Sequence, residues 1–476
     1  MSFVSFQFVV FFVAVIAGVA LMPTSTARHA FLLVANVAFY AAGTPWFLIV
    51  LAVPALVDYA CALRIEAATD RETRRTWLVL SLVTNLGILA YFKYADFLID
   101  NVAALLHVEA VPLDVILPVG ISFFTFKTMS YTIDVYRGSL AACRSLWRYA
   151  MFISFFPELV AGPIVRASVF LPQLDRDLRL SWARTVSGLE LVLLGVTKKL
   201  LVADRLAPFV DVVWAHPDKF SQGSVLTAIV AYSLQIYCDF SGYTDIAIGT
   251  ARVLGFDLPE NFDMPYLSRS ITEFWRRWHM TLSQWLRDYL YIPLGGNRRG
   301  RFRTYVNLML TMLLGGLWHG AAWTFVIWGA LHGVALAVHK LVSRNASGHE
   351  STGRLASRDV AGWAFTYVFV CFSWVLFRSP DLSTALIVLR KGAGLAPGGI
   401  AWTFAPFWIL LPAVGAAHAI GVYQSASSRS RPMRDAAPGI PLLDMPFVRG
   451  FVLAAWLIVL FLFTPMRRSP FIYFQF

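Results

Sequence analysis

YVNLMLTMLLGGLWHGAAWTFVIWGALHGVALAVH, from Tyr305 to His339, contains no Asp, Glu, Lys or Arg. About 20 apolar residues cross the hydrocarbon of a bilayer, so this run is membrane or bundle interior throughout and long enough for two helices. His319 sits near its middle, flanked by Gly315, Gly316 and Gly320. An ionisable group at that depth is costly and by default marks a substrate or proton path. The glycines permit close approach of a neighbouring backbone or of a substrate chain. The alternative is a helix-packing motif in which His319 only bonds a carbonyl. His332 and His339 share a helical face by their spacing, and His339, next to Lys340, is expected at the interface.

The rest of the chain has the same character. Of its 476 residues 58% are hydrophobic and 14% charged, against roughly 45–50% and 25% in soluble domains. Mean hydropathy is +0.63, and 15% of residues are Phe, Trp or Tyr. These values exclude a soluble enzyme and a disordered chain and define a polytopic, all-α membrane protein. Phe3 to Met22 is uncharged and long enough to span; a cleavable signal peptide would carry a basic n-region, which this stretch lacks. Further apolar tracts run over Ala30–Leu63, Trp77–Tyr91, Val115–Ile133, Arg148–Leu171, Val186–Val202, Val225–Leu254, Trp363–Phe377, Ala401–Val422 and Phe451–Thr464. Together they predict roughly 10 to 13 spanning or re-entrant helices.

Charge gives the orientation. Lys and Arg number 40 and Asp and Glu 28, a net +12, which fits cytoplasmic loops better than a nucleic-acid patch. Arg28 follows the first span, and Arg64, Arg71, Arg74 and Arg75 follow the second tract. With both loops cytoplasmic, the N-terminus lies outside and Ala30–Leu63 is a hairpin turned at Gly43, Thr44 and Pro45. The loops Arg298–Arg303 and Arg429–Arg434 then face the cytoplasm too, and Ser425–Arg431 reads as a solvated connector. The four cysteines are scattered, with no CxxC and no His at zinc spacing, so neither a disulfide framework nor a metal site is expected.

Two further blocks carry polar residues in unusual places. In SRSITEFWRRWHMTLSQWLRDYLYIPLGGNRRGR, Ser268 to Arg301, Ser270 and Glu273 form a capping box that predicts a helix start. Trp275, His279, Leu282, Leu286 and Tyr289 then fall on one face, with Arg276, Ser283 and Arg287 on another, the pattern of an amphipathic interfacial helix. His279 stands where an ordinary anchor would carry Leu; it is either functional or a core histidine with a satisfied hydrogen bond. In QIYCDFSGYTDIAIG, Gln235 to Gly249, Asp239 and Asp245 lie inside an apolar span. Buried carboxylates need partners: they orient a histidine, pair with arginine, or hold helices together in a polar network.

These blocks, with ENFDMPYL before the second and LTMLLGGLWHGAAWTFVIWGALHG within the first, resemble the membrane-bound O-acyltransferase (MBOAT) family, and most of all its bacterial alginate O-acetyltransferase branch. YFKYADF at Tyr91, LPVGISFFTF and YTIDVYRG between Leu117 and Gly138, FPELVAGPI at Phe156 and SPFIYFQF at Ser469 extend the resemblance over nearly the whole chain. The resemblance implies one membrane domain over residues 1–476, in the bacterial inner membrane, with helices around a central tunnel. The histidine of the WHG triplet, His319, is then catalytic, with Trp318 supporting it. His279 matches the second family position, and His332 a further recurring histidine. Asp239 and Asp245 are supporting residues. Lys127 and Glu158 stand where many relatives carry residues such as Gln.

The activity so implied is transfer of an acyl group, acetyl above all, from a cytoplasmic thioester such as acetyl-CoA toward hydroxyls of a periplasmic polysaccharide such as alginate. His319 is the general base, His279 positions or polarises the donor carbonyl, and Arg298, Arg299 and Arg301 attract donor phosphates unless they are a plain positive-inside loop. No cofactor is bound, lipid surrounds the chain, and nucleic acid is no partner. Relatives of the alginate branch work with SGNH-type acetyltransferases, and a separate periplasmic or membrane-anchored partner of that type is expected here. A D-alanyl transferase of the teichoic-acid type shares the histidine pair, and a non-catalytic acyl or glycan transporter would share the apolar spans. Lys127 and Glu158, in adjacent apolar tracts, are candidate partners for each other within about 4 Å; Asp134, Arg137 and Arg166 compete as partners, and separate solvation of each charge is a further reading.

Overall fold

A computed structural model describes residues 1–160, 162–345, 357–428, 446–465 and 469–472. Its described residues form helices and connecting loops, with one isolated bridge, Phe220 to Ile400, and no β-strand. The leading helices are α1 (Phe6–Leu21), α2 (Ser25–Ala41), α3 (Phe47–Ala67) and α4 (Arg71–Leu89). A π-helical turn, Ala90–Tyr94, carries α4 into α5 (Ala95–Leu106), and α6 (Ile121–Arg137) follows. The short α7 (Leu146–Ser154), α8 (Phe156–Leu159) and α9 (Ala167–Phe170) lead to α10 (Trp182–Thr197), α11 (Asp204–Ala215) and α12 (Gln222–Val253). Then come α13 (Ile271–Arg277), α14 (Met280–Leu286), α15 (Arg301–His319), α16 (Trp323–Asn345), α17 (Ser357–Arg378), α18 (Leu382–Gly392), α19 (Ala405–Ser428) and α20 (Pro446–Phe463).

The mast is α12. Ser221 caps it by accepting from Ser224 N, and its 32 residues run about 48 Å. One apolar core lies on its C-terminal half, with α1–α3 and α6–α8; the other lies on its N-terminal half, with α11, α13, α17 and α18. Against α10 it packs backbone to backbone. Gly188 and Gly195 face Gly249 and Gly242, and a Cβ on Gly242 would sit 2.7 Å from Gly195 O, the small-residue contact that substitutes for hydrophobic drive between helices in lipid.

Among the described residues, five helical stretches are long and apolar enough to cross a membrane: Phe47–Ala67, Arg71–Leu106, Gln222–Val253, Trp323–Ser343 and Ser357–Arg378; Phe6–Leu21, Ala405–Gly421 and Gly450–Phe463 are shorter apolar helices. The hairpin expected in Ala30–Leu63 is α2 and α3, with Gly43, Thr44 and Pro45 between them. The Arg148–Leu171 tract differs from a span. It breaks into α7, α8 and α9, with Pro157 at the start of α8, and nearly all of it is buried in protein rather than facing lipid, the one setting in which irregular backbone survives at membrane depth. Of the expected connector Ser425–Arg431, the first residues to Ser428 are helical; the rest, the loop Arg429–Arg434 and the last four residues of SPFIYFQF lie outside the described residues.

Lys127 and Glu158 do pair. Lys127 Nζ lies 2.5 Å from Glu158 Oε1 and 2.6 Å from Phe152 O, over the Phe152 ring, and both residues are 1% exposed.

Candidate active site

The charge-free tract becomes the hairpin α15–α16. At its bend a Cβ on Gly316 would run into the Phe325 carbonyl oxygen and one on Gly329 into that of Met312, so these glycines serve a neighbouring backbone. His319 is the last residue of α15, Gly320 being extended (φ −160°, ψ 151°). It is 4% exposed, with Trp318, Trp328 and Phe377 at ring separations of 5.0, 5.2 and 5.2 Å. The terminal carbonyls of α15 have no helical N–H to accept from. Tyr94 Oη donates to Leu317 O at 2.8 Å, and Lys93 Nζ to Trp318 O at 2.6 Å and His319 O at 3.0 Å.

His279 reaches the same place by a different route from the expected one. The expected N-cap is present, Ser270 Oγ accepting from Glu273 N at 3.2 Å, while Glu273 Oε2 reaches back to Arg269 N at 2.8 Å, one residue before the cap, but the helix it starts stops at Arg277. Trp278 is extended, His279 is left-handed (φ 42°, ψ 56°), and α14 begins at Met280. The continuous amphipathic face that was to carry His279 is therefore broken. The cause lies upstream, in the loop 261–263: Met280 N donates to Asn261 O (3.0 Å), and Asp263 N takes Arg277 O (2.9 Å). Those are the groups an unbroken helix would have used for itself. Asn261 Oδ1 accepts from Thr281 N (3.2 Å) and Thr281 Oγ1 (2.9 Å), and the Thr281 hydroxyl in turn accepts from Ile164 N (3.0 Å). With Oδ1 fixed as an acceptor, the 3.1 Å contact to His279 Nδ1 must be a donation by Nδ1–H, leaving the lone pair of a neutral imidazole on Nε2. His279 is fully buried, with Phe240 edge-on at 4.7 Å and Trp318 at 6.1 Å. Trp318 thus makes ring contact with both histidines.

His332, also fully buried, has both nitrogens committed. Trp275 Nε1, a donor only, gives its hydrogen to Nδ1 at 3.2 Å, so Nε2–H donates to Ser373 Oγ at 3.1 Å, whose own hydrogen goes to Val370 O. It is a brace: Trp328, which walls His319, packs 4.6 Å from the His332 ring.

Among the described residues, Asp239 and Asp245 pair with lysines, not with histidine or arginine. Lys199 Nζ lies 2.5 Å from Asp239 and 2.8 Å from Asp204, and Lys198 Nζ lies 2.6 Å from Asp245. Both lysines stand in the π-helical turn Lys198–Ala203, in a tract that reads as apolar in sequence. Asp239 also accepts from Ile472 N (2.9 Å), tying down the C-terminal strand of chain whose Phe471 stacks on Tyr243 at 4.2 Å.

A cavity of about 1090 Å³ opens beside this cluster. Leu308, Thr311 and Met312 line it along α15, with Asn297 ahead of that helix, and Trp275 of α13 and Met280 of α14 line it on either side of His279 in sequence; neither His279 nor His319 is in its lining. Its basic residues are Arg276, Arg277, Arg287 and Lys340. Arg277 is paired with Glu273 (3.0 Å) and Asp263 (3.6 Å) and Arg287 with Asp288 (2.6 Å), whereas Arg276 makes no ion pair among the described residues. Arg298 and Arg299 line no part of it. Arg301 lines an adjoining cleft of about 340 Å³ that shares Asn297 and Lys340 with the cavity. Lys93, Asn261, Lys198, Lys199 and Arg276 are the residues that pattern reading passed over. Only the last carried a signal, its place on the polar face.

Two buried histidines, His319 at the bend of the α15–α16 hairpin and His279 between α13 and α14, thus share the ring of Trp318 inside an all-helical bundle with apolar helices long enough to cross a membrane. Residues 32–379 match the MBOAT, membrane-bound O-acyltransferase family, and the chain belongs to that family. It is 43% identical over 390 residues to the probable alginate O-acetylase AlgI of Azotobacter vinelandii, covering 81% of this chain and 76% of that protein. The corresponding protein of Pseudomonas aeruginosa is 41% identical over 390 residues, 81% and 73% covered. The peptidoglycan O-acetyltransferase of Helicobacter pylori is 37% identical over 390 residues, 76% and 73% covered. The chain is accordingly a multi-pass membrane O-acyltransferase, an enzyme that takes its acyl group from a donor.

Proposed function

We propose that this acyltransferase passes an acetyl group from a cytoplasmic thioester, acetyl-CoA, toward hydroxyls of a cell-surface polysaccharide, with His319 as general base. Alginate, named for the Azotobacter and Pseudomonas relatives, is the acceptor to test first. The observation that carries the reading is the pair of buried imidazoles in contact with one indole, Trp318, next to a basic cavity of thioester-donor size. His319 takes the proton of the acceptor hydroxyl as its oxygen bonds to the acetyl carbonyl carbon. Collapse of the tetrahedral adduct breaks the C–S bond, and the imidazolium returns the proton to the departing thiolate. Neutral His279 presents a lone pair at Nε2, so it positions a reactant by accepting a hydrogen bond and does not polarise the carbonyl as a donor.

Donor phosphates are met by Arg276 and Lys340, with Arg301 at the adjoining cleft; Arg298 and Arg299 serve as positive-inside loop charges. That loop, cytoplasmic by the same rule, gives the cavity to the cytoplasm of an inner-membrane protein. A separate SGNH-type acetyltransferase completes transfer outside. The test is labelled acetyl-CoA supplied to oriented membrane vesicles from cells that make the glycan. Label enters glycan only when the cytoplasmic face is exposed; label from D-alanine instead, or incorporation from the opposite face, contradicts the proposal. Acetylation of a soluble glycan by the purified chain alone would remove the partner.

A further inference from the structure

We propose that Lys93, seconded by Tyr94, is a positioning residue for His319, holding the end of α15 in register for the chemistry; this rests on the reading of His319 as base. Six of the described lysines are buried or half-buried, and Lys391, in the last turn of α18, holds Gly398 O at 3.0 Å without an ion pair. Lys127, Lys198 and Lys199 each meet a carboxylate, Glu158, Asp245 and Asp239 respectively. Lys93 is in no ion pair among the described residues. A cation at membrane depth without a counter-ion is expensive, so what it does hold is informative. An ammonium has three N–H donors, and Nζ of Lys93 has three oxygen acceptors: Trp318 O at 2.6 Å, His319 O at 3.0 Å and Ser122 Oγ at 3.3 Å. Two of the three are the last two carbonyls of the helix that presents the base.

Those carbonyls need such a partner. Gly320 turns away extended after His319, no helical N–H follows, and water is excluded from a bundle interior at this depth. A cation also complements the negative end of a helix dipole. Lys93 and Tyr94 are consecutive, and they reach the same helix end from the π-helical turn Ala90–Tyr94, a local widening of a kind often found at functional sites. The same α4–α5 stretch grips the other side of the bend, Asn101 Oδ1 accepting from Trp323 Nε1 at 2.9 Å. A helix pair whose apolar 18-residue window is only 17% buried is thereby hooked onto the end of α15. Trp318, Trp328 and Phe377 confine the imidazole plane, and Lys93 fixes the peptide from which it projects.

The test is initial-rate acetyl incorporation in membrane vesicles carrying the full-length chain, at varied acetyl-CoA, normalised to folded chain. Lys93→Met is expected to lower kcat on the order of 10²-fold, the cost of about 1 Å of misplacement, with KM for acetyl-CoA unchanged. Lys93→Arg, which can still donate to both carbonyls, recovers most of the rate, and Tyr94→Phe lowers kcat a few-fold with the same KM. Should Lys93→Met fail to fold, the Arg and Phe variants decide: wild-type kcat in Tyr94→Phe, or no better activity in Lys93→Arg than the vesicle background, overturns the proposal, as does wild-type kcat in folded Lys93→Met. In a His319→Ala background Lys93→Met should cost nothing further. Full activity of His319→Ala would sink the base assignment instead, whereas inactive His319→Ala with unimpaired Lys93→Met sinks the positioning role alone.

Discussion

Removing one member of the Lys127–Glu158 pair should harm the protein far more than removing both. Each residue is 1% exposed and the charges lie 2.5 Å apart, so neither can turn to water when its partner is lost. Breaking a buried pair costs about 3–5 kcal/mol, while replacing both members by neutral groups of similar volume is close to neutral. The structure also sets an asymmetry. In Glu158→Gln the ammonium keeps Phe152 O at 2.6 Å and the face of the Phe152 ring, which places that variant near about 3 kcal/mol. In Lys127→Gln the carboxylate loses its cation, and its second oxygen, Oε2, accepts no hydrogen bond among the described residues, which places it near about 5 kcal/mol. The double variant should return to within about 1 kcal/mol of wild type, a coupling of several kcal/mol. Denaturant titration of the four proteins in one detergent, followed by tryptophan fluorescence, closes the cycle. Additive losses in the double variant would refute the buried-pair argument, and a wild-type-like Lys127→Gln would refute the burial.

Asn261→Ala removes the acceptor of three hydrogen bonds and frees His279 from its left-handed conformation; acetyl incorporation should fall on the order of 10²-fold with membrane insertion intact, and an unchanged rate would show that Asn261 is not the latch. Gly242→Val puts a side chain where a Cβ already meets Gly195 O at 2.7 Å; overpacking of about 1–3 kcal/mol should appear as a lower melting temperature in detergent, and an unshifted melt would mean that α10 and α12 can part freely. Arg276→Glu should raise KM for acetyl-CoA about tenfold at constant kcat, by like-charge repulsion of the donor, while Arg298→Glu leaves both constants near wild type; equal effects would return the donor site to the arginine loop.

How much of this was readable in the sequence depended on whether the cause was local. The hairpin turn at Gly43–Pro45, the N-cap at Ser270 and the charge-free tract each report on their own neighbourhood, and each is present as read. The break at Trp278–His279 was not readable, because helical periodicity weighs only neighbouring residues and the break is made by the distant loop 261–263, where Asn261 O and Oδ1 accept from Met280 N and Thr281 N and Asp263 N donates to Arg277 O. The partners of Asp239 and Asp245 were hidden for a related reason: Lys198 and Lys199 sit inside a tract apolar enough to pass as a plain span. Basic residues are densest in sequence at Arg298–Arg303, whereas the cavity's Arg276, Arg277, Arg287 and Lys340 come together from separate parts of the chain, which no local pattern reports. The Lys127–Glu158 pair could be raised as one candidate across the chain because burial cost constrains charge regardless of distance in sequence.

The central claim is that His319 performs the proton transfer. The most direct measurement is the acetyl ester content of surface glycan from cells whose only copy of this chain carries His319→Ala, with the amount of inserted protein verified in the same membranes. The account predicts acetyl content at the level of cells lacking the chain. Wild-type acetyl content with normal insertion would contradict it.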